Sequence, residues 1–188
     1  TRYLMSTSYT ALPPDIPQIF TEIVALTADG MGSIAEEYGY NGVYFFHDTW
    51  IKLMERFTEA NKVKNTRETK FPAICLVHNY EEVMRRDETY YQVRLDFVIV
   101  VPTKNTYFAN ERFEKNYRPL LHKIYAEFMY HVTKSGYFVG SVKGYYPHTK
   151  VDDIHMGNNG DSYKLPDMVD GVYIKGLELN VKEKNLYC

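Results

Sequence analysis

The sequence predicts an α+β fold in which helices pack on a mostly antiparallel β-sheet. In residues 90–101 apolar and polar side chains alternate, and from Phe97 onward both faces are apolar. This change predicts a central strand that is covered on both faces toward its end. Apolar side chains then recur at helical spacing in residues 110–134. The apolar run 71–77 precedes the central strand and predicts an antiparallel hairpin with it.

The chain begins with an extended segment that leads into a helix. Residues 1–13 are polar with scattered aromatics and run into two prolines, which predicts an arm rather than a helix. Asp15 is the predicted N-cap of a helix, because apolar side chains follow it at three- and four-residue intervals. Gly30 is predicted to end this helix, and residues 31–41 are predicted to form a loop or short hairpin.

A strand, a helix and a charged loop are predicted next. Residues 42–47 are apolar and predict a short strand, and Asp48 is the predicted N-cap of the second helix. The charged run 62–70 predicts a solvated loop. In the strand that follows, Pro72 must lie at the beginning or on an edge, since it cannot donate a hydrogen bond. The charged residues 79–89 connect this strand to the central one.

Pro119 lies inside the helical pattern that follows the central strand. Either a short helix ends near Arg118, or one helix kinks at the proline, because proline removes a backbone hydrogen bond. Gly136 closes the helix, and residues 137–146 mix aromatics with glycines, as an irregular strand does.

The last part of the chain combines an irregular segment with a regular strand. Residues 147–171 predict a long loop, and loops of this length are usually functional or insertions. Residues 171–180 predict a strand whose apolar phase shifts at Gly176, which indicates a β-bulge. We therefore expect a single α+β domain over residues 1–188, with an N-terminal arm (1–13) and an insertion loop (147–171).

Composition restricts the classes of function. The net charge is −2, so the chain lacks the basic footprint of a nucleic-acid binder, although residues 62–70 and the Arg85-Arg86 pair are locally positive. Its 18 Tyr and 10 Phe suit surfaces that become covered in an assembly, or a Tyr-rich core. The two cysteines, Cys75 and Cys188, predict reduced thiols and an intracellular protein. Neither a membrane span nor a signal peptide is expected.

Candidate chemistry is sparse in this sequence. The closely spaced His148, Asp152, Asp153 and His155 have the side chains of a metal site, but they match no recognised ligand signature. We favour a solvated loop there, and we expect no metal and no cofactor.

Nucleophilic and acid–base catalysis are also weakly indicated. Cys75 lies in an apolar run where burial makes a thiol inert, and no nucleophile elbow, phosphate loop or dinucleotide fingerprint is present. Arg94 and Asp96 share the polar face of the central strand with Gln92. A general acid and base could lie there, but an exposed strand face is the simpler interpretation.

A succession of elements connects this chain to a known class of proteins. After a helix come the strand FPAICL, a charged loop, the strand LDFVIVVPT and a link that carries Arg112. The helix RPLLHKIYAEFMYHV and a last strand ending in GLELNV follow. This order, over residues 50–139 and 171–181, resembles bacteriophage neck and tail proteins. It is most similar to tail-terminator-like, or tail-completion, ring subunits such as those of crAss-like phages. Residues 31–41 and 147–171 depart from the compact family pattern as insertions.

The resemblance implies a tail-terminator-like structural virion protein with no catalytic activity. Such subunits form closed rings of six or twelve copies in the head-to-tail connector, coaxial with portal and tail. The ring would join portal-side and tail-side proteins and line the DNA path without sequence-specific binding or membrane contact. Its place would be the neck of the virion, and the host cytoplasm during assembly. The residues that we single out for contacts between copies are Tyr3, Tyr9, Arg85, Arg86, Arg112, Tyr145 and Tyr146.

Two other functions remain open from the sequence. One is a small metal-dependent hydrolase or nucleotide-modifying enzyme that uses residues 147–171, and the other is a soluble binding module of a host cell. If the chain forms a ring, residues 1–13 and 147–171 should be more ordered in the assembly than in the free subunit, because each needs a neighbour to cover it.

Overall fold

The structure is a computed structural model that describes residues 15–62, 70–84, 89–104, 106–140, 145–156 and 169–182, with the backbone alone for 58–62 and 153–156. It confirms the α+β fold class. The helices are α1 (Ile16–Glu37), α2 (Trp50–Lys62), α3 (Ala109–Arg112) and α4 (His122–Lys134), with a π-helical segment (Phe113–Leu121) between the last two. The strands are β1 (Tyr44–Asp48), β2 (Ala73–Val77), β3 (Glu82–Met84), β4 (Tyr90–Pro102), β5 (Phe138–Val139), β6 (Thr149–Met156) and β7 (Val169–Lys182).

The described strands form one sheet with the path β1-β2-β4-β7-β5. β2 and β3 pair with one edge of β4, and β5 and β6 pair with the outer edge of β7. All of these pairs are antiparallel except β1 and β2, which are parallel and connected by α2. β4 is therefore central, as predicted, and the predicted hairpin of β2 with β4 is confirmed. β3, within the connection of that hairpin, was not predicted.

The two faces of β4 contact different helices. Its odd-numbered apolar side chains pack in a core with α1, the π-helical segment and α4, where the rings of Phe97 and Phe20 are 4.6 Å apart. Val98 and Val100 point to the other face and pack beneath Leu53 of α2. This confirms that the second half of β4 is covered on both faces.

α1 begins as predicted but ends later than predicted. Asp15 and Gln18 form a reciprocal capping box at its start. The helix does not stop at Gly30, and residues 31–37, predicted as loop or hairpin, continue it. A Cβ on Gly30 would lie 3.0 Å from Cδ of Glu127, so glycine lets α4 approach closely here. The helix ends before Gly39, which has a φ of +78°.

The predicted cap of α2 is wrong by one residue. The carbonyl of Thr49 accepts the first helical bond, from the backbone N–H of Leu53, so Thr49 is the N-cap. Asp48 is the last residue of β1, and its Oδ1 accepts from the N–H of Thr49 at 2.7 Å. The carboxylate of Asp48 therefore bonds to the backbone of the N-cap residue Thr49, one position before the predicted cap interaction.

The helical region after β4 continues through Pro119. The chain passes from α3 through the π-helical segment into α4, so of the two predicted alternatives the helix end near Arg118 is not observed. The backbone N–H of His122 bonds to the carbonyl of Tyr117, five residues back, as in a π-helix. Ser135 and Gly136 close α4 as predicted. Among the described helices, none is long and apolar enough to cross a membrane.

The C-terminal part is more regular than the sequence predicts. Residues 149–156, predicted as irregular loop, form β6, which pairs with β7. Of the strand predicted at 137–146, Phe138–Val139 is observed as β5, and residues 141–144 lie outside the described part. The predicted bulge at Gly176 is confirmed, because the register of β4 with β7 shifts there.

Candidate functional site

Among the described residues, α2 covers only part of the sheet. Along β4, Val98 and Val100 lie under α2, whereas the polar side chains nearer the start of the strand extend beyond the helix on the same face. The uncovered part is called the open face here. Its members on β4 and β7 are Gln92, Arg94, Asp96, Tyr173, Glu178 and Asn180.

The open face carries a cavity of about 420 Å³. One row of its lining crosses four strands: Val83 of β3 lies opposite Gln92, Gln92 opposite Asn180, and Asn180 opposite Val139 of β5. In the next row, Arg94 and Glu178 lie directly opposite each other. Polar groups in the middle of the cavity are therefore flanked by valines on both sides.

The bulge in β7 organises the middle of the open face. Two residues of β7 lie opposite Asp96, and the second is Gly176 with a φ of +64°. Asp96 accepts hydrogen bonds from the backbone N–H of Gly176 and from the hydroxyl of Tyr173, both at 2.7 Å. A Cβ on Gly176 would lie 2.6 Å from Nε of Arg94, so the guanidinium rests against the glycine backbone.

The electrostatics of the open face suit binding. Partial burial and the hydrogen bond to Asp96 raise the pKa of Tyr173 to about 12, so the hydroxyl stays a donor. Within the described part of the chain, the side chains of Arg94 and Glu178 have no hydrogen-bond or ion-pair partner. The cavity therefore offers a free cation and a free anion between apolar walls, which can hold an extended peptide or a polar partner.

Large apolar side chains are exposed at both ends of β4. Met84, which pairs with Tyr91 at the start of β4, is 68% exposed, and Phe108, six residues after the strand ends, is 77% exposed. β4 has 13 residues. At about 3.3 Å per residue, its ends are roughly 40 Å apart. Sequence periodicity did not reveal these residues, because both lie outside the regular apolar stripes.

The backbone at Phe108 is held in place by hydrogen bonds. Its N–H donates to Oε2 of Glu111 at 3.0 Å, at the start of α3. Nε of Arg112 donates to the carbonyl of Tyr107 at 3.1 Å. Nη1 of Arg112 lies 3.3 Å from the buried Oδ1 of Asp170, at the start of β7. The segment that carries Phe108 is thereby tied to the sheet.

The predicted contact residues have different positions. Tyr145 is exposed. Arg112 and Tyr146 are buried, with residue exposures of 7% and 4%, so the folded subunit leaves little of either side chain for contacts between copies. Arg112 instead pairs with Asp170, and Tyr146 packs in the core and lines the cavity. Tyr3, Tyr9, Arg85 and Arg86 lie outside the described residues.

The predicted metal candidates do not come together among the described side chains. His148 contacts the Tyr125 hydroxyl at 2.7 Å and the carbonyl of Tyr146 at 2.7 Å. Asp152 pairs with His122 at 3.0 Å and with Lys150. The side chains of Asp153 and His155 lie outside the described part. In the part of the chain that is described, no three or more His, Cys, Asp or Glu side chains form a group that could hold a metal ion.

Cys75 also has the environment that the sequence predicts. It is buried in β2 beneath α2, and this burial raises the pKa of its thiol far above the ordinary value. The thiol therefore stays protonated and unreactive near neutral pH.

No model of a known protein family matches the sequence, and no curated protein matches it significantly.

Proposed function

We propose that this chain is a structural ring subunit of the head-to-tail connector of a tailed bacteriophage. The observation that carries the proposal is the presence of two unlike features at opposite ends of β4: the exposed Phe108 beyond its last residue, and the cavity bordered by Val83 near its first residue. Rings of identical subunits need such unlike surfaces, because each copy presents one surface to the next copy and the other to the previous one. The order of elements that resembles tail-terminator-like subunits supplies the phage context.

The two surfaces also differ in shape. At one end, the exposed Phe108 projects from a backbone that is tied to Glu111. At the other end, the cavity of about 420 Å³ has room for an aromatic ring and is bordered by Val83 and Arg94. An aromatic ring in that cavity would gain apolar contacts and a cation–π interaction with the free guanidinium. Since the backbone at Phe108 is already held by hydrogen bonds, docking has to order only its side chain.

The proposed role is mechanical and needs no catalysis by this chain. Copies would close into a ring that contacts portal-side and tail-side proteins. A net charge of −2 provides no strong attraction for the DNA that passes through the ring. This charge is compatible with DNA movement through a lumen.

Assembly state tests the proposal directly. Light scattering and negative-stain images of the purified chain should show closed rings, and mass spectrometry should find the chain in purified virions. Phe108→Ser should shift the rings toward monomers without changing the unfolding temperature, because Phe108 is already exposed in the subunit. Tyr130→Ser is the matched control, since Tyr130 is also exposed, at 54%, but lies on α4. A chain that stays monomeric at high concentration, and is missing from virions, would refute the proposal.

Cross-linking tests the arrangement of the two surfaces. In a Cys188→Ser background, Phe108→Cys and Val83→Cys chains should form a disulfide with each other when mixed. Neither variant alone should cross-link to itself. Efficient self-cross-linking of Phe108→Cys would indicate a two-fold contact between like surfaces and would contradict the heterologous ring.

A further inference from the structure

Two histidines form a pair at one end of the parallel strands. His47 lies near the end of β1, and His78 directly follows β2. Nδ1 of His47 is 3.0 Å from Nε2 of His78, and the two rings stack with centroids 4.9 Å apart. Both side chains lie toward solvent, so small ions can reach them.

The backbone holds this pair in place. The N–H of His78 donates to the carbonyl of Asp48 at 2.9 Å, which continues the pairing of β1 with β2 by one residue. The ring of Phe45 lies beside His47, and the ring of Tyr80 meets His78 edge-on. The two imidazoles are thus preorganised by neighbouring strands rather than by a loose loop.

The tautomers of the pair allow a ligand role. A neutral imidazole has one nitrogen lone pair to donate, which is the form that binds metal ions. In the pair, one of the two facing nitrogens carries a proton and donates it to the other. If that proton moves to the other nitrogen of its own ring, Nδ1 of His47 and Nε2 of His78 both present a lone pair, and neither ring changes its charge.

The nitrogen separation matches that of two ligands on one metal ion. Metal–nitrogen bonds of about 2.0–2.1 Å at ordinary ligand angles place neighbouring ligand nitrogens roughly 2.9–3.4 Å apart. The observed distance is 3.0 Å. We propose that His47 and His78 chelate one divalent transition-metal ion, of the class Zn²⁺, Ni²⁺ or Cu²⁺ that imidazole prefers.

The pair differs from the other histidine contacts in the described residues. His122 and His131 each pair with one carboxylate, and His148 contacts a tyrosine hydroxyl and a backbone carbonyl. No third protein ligand joins His47 and His78 in the described part of the chain. Water therefore fills the remaining positions, and the ion is exchangeable. This site does not depend on the proposed ring.

Metal binding to the untagged chain tests the inference. Calorimetric titration with NiCl₂ should give one ion per chain. His47→Ala or His78→Ala should raise the dissociation constant about tenfold or more, and each tenfold change corresponds to about 1.4 kcal/mol of binding free energy. His131→Ala is the control and should leave the affinity unchanged. With Cu²⁺, electron paramagnetic resonance should show two coordinated imidazole nitrogens, and one in either variant. Binding that persists in both variants, or the absence of binding at millimolar metal, would overturn the proposal.

Discussion

Removal of the Arg112 guanidinium is predicted to destabilise the fold strongly. Asp170 is completely buried and the side chain of Arg112 is 8% exposed, with Nη1 and Oδ1 3.3 Å apart. Asn116 also donates to Asp170 and to the hydroxyl of Thr103. In Arg112→Ala, the buried carboxylate keeps the hydrogen bond from Asn116 but loses the guanidinium that faces it.

The expected size follows from that burial. Breaking a buried ion pair from one side typically costs about 3–5 kcal/mol. For a chain of this length, each kcal/mol lowers the unfolding temperature by about 2–4 °C, so Arg112→Ala should lower it by roughly 6–20 °C. Arg118 provides the matched control, because it pairs with Glu114 at 2.9 Å while both side chains are more than half exposed. Arg118→Ala should cost about 0.2–1 kcal/mol.

Urea denaturation followed by circular dichroism measures both effects. A double variant, Arg112→Leu with Asp170→Leu, should be more stable than Arg112→Ala alone, because it leaves no unpaired charge. If Arg112→Ala lowered the unfolding free energy by less than about 1 kcal/mol, as loss of an exposed ion pair does, the inference that Arg112 and Asp170 form a buried ion pair would be refuted.

Three further predictions concern the open face and the core. Gly176→Ala should cost about 1–2 kcal/mol of unfolding free energy, because a Cβ is strained at positive φ. Adding Arg94→Ala to Gly176→Ala should recover little of that loss, since Arg94 is flexible and can move aside. Tyr173→Phe should be less stable than the wild type below pH 10, because the hydroxyl bound to Asp96 is lost. This difference should shrink between pH 10 and about 12, because the raised pKa of Tyr173 stabilises the fold only while the folded hydroxyl keeps its proton. In a Cys188→Ser background, Cys75 should resist a thiol reagent in the native protein and should react once the protein is unfolded.

Each of these predictions has a contrary result. Full recovery of stability when Arg94→Ala is added to Gly176→Ala would show that the clash, not the backbone, sets the cost. A Tyr173→Phe difference that stays constant to high pH would mean that the hydroxyl does not titrate as described. Rapid labelling of Cys75 in the native chain would contradict its burial.

Several elements could be predicted because their signals are local. Asp15 caps α1 through a residue three positions away, and the alternation in β4 reflects its own two faces. The phase shift at Gly176 revealed the bulge for the same reason. The strand β6 was missed because its sequence is largely polar and does not alternate regularly, and its hydrogen bonds come from pairing with β7.

Other features depend on residues that are distant in the sequence. Gly30 has the local signature of a helix end, yet α1 continues, and this continuation buries Met31 and Ala35. Arg112 has the signature of a surface cation, but it is buried because it pairs with the buried Asp170, which is 58 residues away in the sequence. The candidate site also depends on distant residues, because the position of α2 on the sheet determines which part of the face stays open.

The sequence by itself determined the class of fold, the central position of β4, the start of α1 and the bulge in β7. These features follow from the side-chain periodicity and backbone preferences of a few neighbouring residues. Only the tertiary structure decided which charges are paired, which helix covers each face of a strand and which apolar side chains face solvent. Those outcomes depend on contacts across the sheet, such as that of Asp96 with Gly176, and no local pattern encodes the partner.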